Sequence, residues 1–463
     1  MLYGGKHINK IKMLIPENVK YIISTLQGAG FEAYAVGGCV RDVLLGRKPA
    51  DWDVTTNAEP QQVKRIFRRT IDTGIKHGTV TVMMNDEDHV YRGYEITTYR
   101  IDGEYEDGRH PREVTFTKSL REDLERRDFT INAMAYNQDS GLVDEFDGCG
   151  DLKKRVIRAV GDPYERFSED ALRILRAYRF AAQLGFGIDA RTEEAAVSLR
   201  ENLKKISAER IQAEFTKLLC SPHPDVILDM YRAGITSVIM PEFDVCMRMD
   251  QKNKHHIYNV GEHTIRALMV NAQFSGVEFE PDILRYIRYA LLFHDFGKPE
   301  AMTEDENGAR HFKGHAVISE RISKEIMKRL KLDNDTIKTV AALVRWHDYR
   351  PEATERNVRR AMNNIGPEIY RLLFPIRMAD TLAQSMYKRE KKLAYEKEIM
   401  ELYSKVIEAG DAVTLKDLAV TGEDLIGHGY KPGPELGKKL KELLELVLED
   451  PGCNTKEYLL SKI

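Results

Sequence analysis

Residues 36–53 read V-G-G-C-V-R-D-V-L-L-G-R-K-P-A-D-W-D, two adjacent glycines followed at short range by two aspartates that flank a tryptophan. Few folds use both halves of such a segment. Gly37 and Gly38 carry no Cβ, so their N–H groups can approach phosphate oxygens closely, beside a turn where a helix N-terminus adds partial positive charge. Arg41 and Asp42 follow, and Arg41 joins the two glycines as a candidate for the phosphates. Asp51 and Asp53 stand two apart, so on a β-strand both carboxylates leave the same face. Two hard oxygen ligands on one face suit Mg²⁺. Paired glycines alone mostly make turns, but the two halves in this order point to a metal-held triphosphate.

A site of this kind needs a third carboxylate. The β-branched, alternating run Y-E-I-T-T-Y-R predicts a neighbouring strand and offers Glu95. The following I-D-G-E-Y-E-D-G-R-H-P-R-E-V has few residues able to bury apolar area and reads as a mobile loop. In R-R-D-F-T-I-N-A-M-A-Y, Arg126 and Arg127 present paired donors suited to a triphosphate, which leaves ribose and backbone positioning to Asp128 and Asn132. Asp147 and Asp151 read as hinge or helix-cap groups.

Ser168, Glu169 and Asp170 predict a helix start, with apolar residues at helical spacing as far as Gly185. Asp170 and Arg173, three apart, would share one face of that helix. A carboxylate accepts from an exocyclic amino group, which cytosine and adenine carry where uracil and guanine carry a carbonyl. The pair can therefore select C and A without a nucleic-acid template. Glu169 would orient Arg173, while Arg176 and Arg179 would meet phosphates or solvate the helix. The amphipathic Ala208–Leu219 segment, with Arg210 and Glu214 as an i, i+4 pair, reads mainly as architecture.

Taken in order, G-G-x-x-R-D with D-W-D, R-R-D-F-T-I-N-A and E-D-x-x-R resemble the motifs of the class II tRNA nucleotidyltransferase and bacterial poly(A) polymerase superfamily, the CCA-adding enzymes and their relatives. The resemblance implies two Mg²⁺ ions on Asp51 and Asp53, with Glu95 completing the cage. One metal would activate the 3′-hydroxyl of a tRNA end and the other would hold CTP or ATP. Asp170 and Arg173 would be a protein template, and the full-length loop after Arg100 favours an enzyme that adds the adenosine as well as the cytidines. The tail V-T-G-E-D-L-I-G-H-G-Y-K-P-G-P-E-L resembles the segment that packs near the tRNA elbow, which weighs against a poly(A) polymerase. An enzyme that adds only A to tRNA, or poly(A) to RNA, remains the alternative within this superfamily.

A second set, His263, His294, Asp295 and Asp380 with His315 and His347 as further candidates, resembles the metal ligands of the HD phosphohydrolase superfamily. Imidazole and carboxylate together suit a divalent transition metal or Mg²⁺. If this site were the working part, it would hydrolyse a phosphoester at an RNA end.

The expected fold is α+β and mostly helical. A nucleotidyltransferase head with a small mixed or antiparallel sheet would span residues 1–158, a helical neck 159–220, an HD-like body 221–385 and a tRNA-binding tail 386–463. The length of 463 residues fits three or four domains. No apolar run reaches the roughly 20 residues of a membrane span, Lys6, Lys10 and Lys12 interrupt any leader-like start, and five scattered cysteines fit a reducing cytoplasm. A net charge of −3 excludes a protein that coats nucleic acid. Basic groups must then be concentrated locally, as between Asp151 and Lys217 and at Tyr387–Lys392.

Overall fold

The V-G-G and D-W-D segments fold as neighbours in one sheet. The computed structural model describes residues 7–8, 12–85, 90–102, 114–252, 257–273 and 279–463. In chain order the sheet strands are β1 (His7–Ile8), β2 (Ala33–Val36), β3 (Asp53–Thr56), β4 (Thr70–Gly74), β5 (Thr79–Asn85), β6 (Tyr91–Thr98), β7 (Met134–Asn137) and β8 (Gly141–Asp144). Their order across the eight-stranded sheet is β1-β8-β7-β2-β3-β6-β5-β4. Every pairing is antiparallel except β3 with β6, which is parallel. The sheet is mixed, as expected.

The register of that parallel pair positions the site. Asp53 lies beside Glu95 on one side and opposite Val36 on the other, so the carboxylates and the glycine turn meet at one end of the sheet. β3 begins only at Asp53, so Asp51 lies just before the strand rather than on it. The underside is closed by a buried cluster of Tyr34, Val36, Tyr99, Leu124, Ala133, Ala135, Val143 and Val160, and β2 and β7 are buried on both faces. Asp147 does not cap the next helix with its side chain; Asp144 does, accepting from Gly148 N at 2.7 Å and Cys149 N at 2.9 Å. Asp151 instead accepts from Thr130 and Arg158.

The chain forms two units, one running to Leu218 with Asp229–Ile239, the other comprising Leu219–Leu228 and Met240–Ile463. The division into head, neck, body and tail stands as our reading of the sequence. The second unit is built almost wholly of helices, among them Val260–Gln273, Pro281–Phe293, His315–Arg329, Asn334–Trp346 and Pro367–Ala383. Among the described residues no helix is long and apolar enough to cross a membrane. The expected loop after Arg100 falls largely on residues 103–113, outside those described.

Candidate active site

Gly37 ends β2 and caps the Gly38–Leu44 helix with φ of +82°. A Cβ here would be strained, and it would stand 3.1 Å from Arg127 Nη1. The glycine thus lets backbone and guanidinium share one space. Asp53 is half-buried. Burial first, then the negative charges of Asp51 and Glu95, push its carboxyl up to about 6 against the opposing pull of Arg127. Such a carboxylate cluster, short of positive charge, fits a divalent cation. Its oxygens do not close into a complete cage, since the sets of three ligands that converge within 4.8 Å among the described residues lie elsewhere. That openness suits Mg²⁺, which keeps positions for substrate phosphates.

Arg126 and Arg127 are aimed by a residue that sequence reasoning passed over. Asp123, fully buried on the Leu120–Glu125 helix, accepts from Arg126 Nη2 at 2.7 Å, Arg127 Nη2 at 3.3 Å and Thr55 Oγ1 at 3.1 Å. Burial alone would raise its carboxyl, but Arg126, Arg127 and Thr55 together hold it below the ordinary value. The signal was present in E-D-L-E-R-R, where a carboxylate three and four residues before two arginines reaches both on one helix face.

The predicted helix start at Ser168 is corrected. A helix already runs over Pro163–Glu169, started by Asp162, whose side chain accepts from Tyr164 N, and by Pro163 in its first turn. It breaks at Asp170, where φ is −138° and ψ 101°, and a second helix follows over Leu172–Leu184. Asp170 therefore sits in the joint, not on a shared helix face with Arg173. One of its oxygens accepts from Leu172 N at 3.0 Å and the other from Arg210 Nη2 at 2.7 Å. The expected Arg210–Glu214 pair is replaced: Arg210 serves Asp170, and Glu214 accepts from Arg179 at 2.8 Å. Arg173 donates to the Arg166 carbonyl, to Glu169 at 2.6 Å and to the Arg126 carbonyl at 2.9 Å, so Glu169 does orient it. Three of its five N–H groups are used.

Asp170, Arg173, Arg126, Arg127, Asp128 and Arg176 line one cleft of about 270 Å³, and Arg210 joins them. Asp128 accepts from Asn132 at 3.1 Å and pairs with Arg176 at 2.6 Å. Burial opposes ionisation of Asp128, but Arg176 and the Asn132 amide overcome it and hold the carboxyl far down. Arg41 and Arg179 lie off the cleft lining. Arg41 donates to Asn132 at 2.7 Å and pairs with Asp42, and Arg179 stacks 3.6 Å from the Phe180 ring centroid. If Asp170 reads the base as its residue type implies, replacing it by alanine should lower the preference for CTP over UTP in kcat/KM by roughly 10- to 100-fold, the worth of one charged hydrogen bond. Arg210→Gln should act in the same direction by several-fold, with Arg210→Lys partly restoring it, measured as the same ratio.

The second set of ligands is drawn together within the second unit. His263 on the Val260–Gln273 helix meets Asp380 on Pro367–Ala383 at 2.9 Å, and His294 and Asp295 follow directly on the Pro281–Phe293 helix. His315 opens its helix, and His347 follows Asn334–Trp346. All six are buried. They form two converging trios, His263 with His294 and Asp380, and Asp295 with His315 and His347. Two histidine positions offered by the sequence as further candidates thus belong to the cluster.

Comparisons with known proteins identify the family. Residues 33–158 match the family described as Poly A polymerase head domain, residues 185–247 the probable RNA and SrmB-binding site of polymerase A, and residues 312–463 tRNA nucleotidyltransferase domain 2, putative. The CCA-adding enzyme of Lactobacillus helveticus is 36% identical over 92% of this chain and 91% of its own. That of Pediococcus pentosaceus is 35% identical over 96% and 97%. Among solved structures, the Bacillus stearothermophilus CCA-adding enzyme in complex with CTP superposes with a TM-score of 0.70 at 28% identity, covering 97% of this chain and 98% of that one. With carboxylates, an arginine pair and a charged cleft in one unit, the chain belongs to the CCA-adding enzymes and is a nucleotidyltransferase.

Proposed function

We propose that the first unit adds C, C and A to tRNA 3′ ends from CTP and ATP, reading the base with protein side chains. The observation that carries this reading is the cleft that puts Asp170 and Arg173 beside Arg126 and Arg127. Asp170 would accept from the exocyclic amino group of C or A, and the two unused N–H groups of Arg173 would donate to the ring edge. Arg126 and Arg127, held by Asp123, would grip the triphosphate, with Arg176 at the cleft wall. Gly37 and Gly38 would let the backbone approach the phosphates. Mg²⁺ held by Asp51 and Asp53, with Glu95 beside them, would supply charge stabilisation for in-line displacement of pyrophosphate by the tRNA 3′-hydroxyl. The relatives named above are CCA-adding enzymes, one solved with CTP. Five free cysteines support a cytoplasmic site of action.

The test uses tRNA ending at the discriminator base. CTP alone should extend it by two nucleotides, ATP should then add one, and UTP and GTP should add none. Extension by ATP alone without CTP incorporation would replace this reading with an A-adding enzyme.

The buried histidine and aspartate trios support a second activity, a metal-dependent phosphohydrolase in the second unit. The ligand set is nitrogen-rich, which suits a divalent transition metal.

A further inference from the structure

Six arginines are buried among the described residues, and five of them sit in the field of a carboxylate. Arg41 pairs with Asp42, Arg173 with Glu169, Arg179 with Glu214 and Arg359 with Asp411, each at 2.6–2.9 Å, and Glu396 compensates Arg377. The sixth is Arg288, on the Pro281–Phe293 helix and 4% exposed. No described carboxylate faces it. Burial pulls its guanidinium down to about 10, opposed only by the Cys220 thiol, so at neutral pH it stays charged. Cys220 does not supply the missing counter-charge, because burial pushes its thiol up to about 11 against the pull of Arg288 and Arg285. Arg285, one turn away, holds Asp282 at 3.2 Å and Asp333 at 3.6 Å, so those carboxylates are already engaged.

The neighbouring polar groups share the same deficit. Arg288 Nη1 donates to the carbonyl of Leu268 at 3.0 Å, which anchors the guanidinium against the Val260–Gln273 helix, while its buried Nε–H has no acceptor. Asn271 lies three residues beyond Leu268, on the same face of that helix. It is 5% exposed, and neither end of its amide has a hydrogen-bond partner. A helical carbonyl points along the axis toward the N–H four residues on, so a guanidinium that reaches Leu268 O stands at the level of Asn271. Buried N–H donors from two helices thus stand together around one positive charge, and no protein acceptor serves them.

We propose that the seam between these two helices binds a monovalent inorganic anion, a halide, through Arg288 Nε–H and the Asn271 amide N–H, with the Cys220 thiol alongside. One guanidinium balances one negative charge. A phosphate dianion would bring a second charge that nothing in the seam compensates, and water would satisfy the donors while leaving the guanidinium unmatched. The ion is then part of the packing of the second unit, and the stability of that unit depends on halide by mass action.

The test uses the full chain in potassium gluconate, with chloride or bromide substituted at constant ionic strength. The unfolding midpoint of the second unit should rise with halide, by about 3–5 °C for each tenfold increase once the site is saturated. Arg288→Met, apolar and of similar length, should abolish that response. In gluconate it should be at least as stable as the parent, since no unmatched charge remains to be buried. Asn271→Leu should move the halide response to several-fold higher concentration, which keeps the proposal testable should Arg288→Met fail to fold. In crystals grown from bromide, anomalous scattering should place one ion between Arg288 and Asn271. A midpoint no higher in halide than in gluconate overturns the proposal. So does a rise that either variant retains in full, or water in place of bromide at these donors.

Discussion

Replacing Asp51 and Asp53 together by alanine should lower the rate of CMP transfer to tRNA by at least ~10³-fold. Metal-assisted charge stabilisation contributes several kcal/mol to such a transfer, and each ~1.4 kcal/mol is tenfold in rate. The fold should survive. Asp51 is exposed and Asp53 is crowded by negative charge, so removing both relieves repulsion rather than breaking a pair. The expected result is an unfolding midpoint no lower than that of the parent, with transfer lost, and a chelator should silence the parent in the same way. Labelled CMP incorporation persisting in the double variant would show that these carboxylates do not carry the reaction.

Asp123→Asn should give the largest loss of stability. The carboxylate is fully buried and both arginine partners are largely so, at 15% and 19% exposed. Removing one partner of a buried ion pair costs about 3–5 kcal/mol, and the partial exposure of the arginines places the expectation near the lower end, about 3 kcal/mol. The midpoint of the first unit should fall by roughly 5–10 °C. Because the folded carboxyl sits below its ordinary value, this contribution is fully present above about pH 4 and fades as pH falls further. The difference between parent and variant should therefore narrow in acid. Both arginines would also lose their aim, so KM should rise for CTP and ATP alike, since triphosphate is what the two share. A change confined to one nucleotide would overturn the phosphate-gripping role. In that respect Asp123 and Asp170 are expected to separate cleanly, one altering affinity and the other choice.

Much of the first site was legible because its chemistry is local. The glycine pair and the alternation around Glu95 follow from local backbone geometry, and the parallel register of Asp53 with Glu95 completes them, whereas Asp51 lies before the strand that the D-W-D spacing presupposed. Less legible was what ionic groups do with one another. Arg41 and Arg126 look equally suited to phosphate in sequence, yet Arg41 is held by Asn132 and Asp42 away from the cleft. Arg210 read as architecture because its partner, Asp170, lies 40 residues away. The helix start at Ser168 was misplaced because Asp162 with Pro163 is the stronger signal, while the helix breaks at Asp170, whose carboxylate turns to Leu172 N and Arg210. The six histidine and aspartate ligands were recognisable one by one. That Asp295 turns one oxygen toward His294 and the other toward His315 depends on how five separate helices come together, which no spacing along the chain encodes.

The bond from Arg173 to the carbonyl of Arg126 makes the cleft a caliper. On the proposed reading one jaw takes a base edge and the other a phosphate chain, and this bond together with the Arg176–Asp128 pair spans the gap between them. Nucleotide analogues with the right base but a lengthened link to the triphosphate should then be rejected as firmly as the wrong base. Attempts to retune the base jaw by substituting Arg173 would shift the phosphate jaw as well, so altered specificity and weakened affinity would be inherited together.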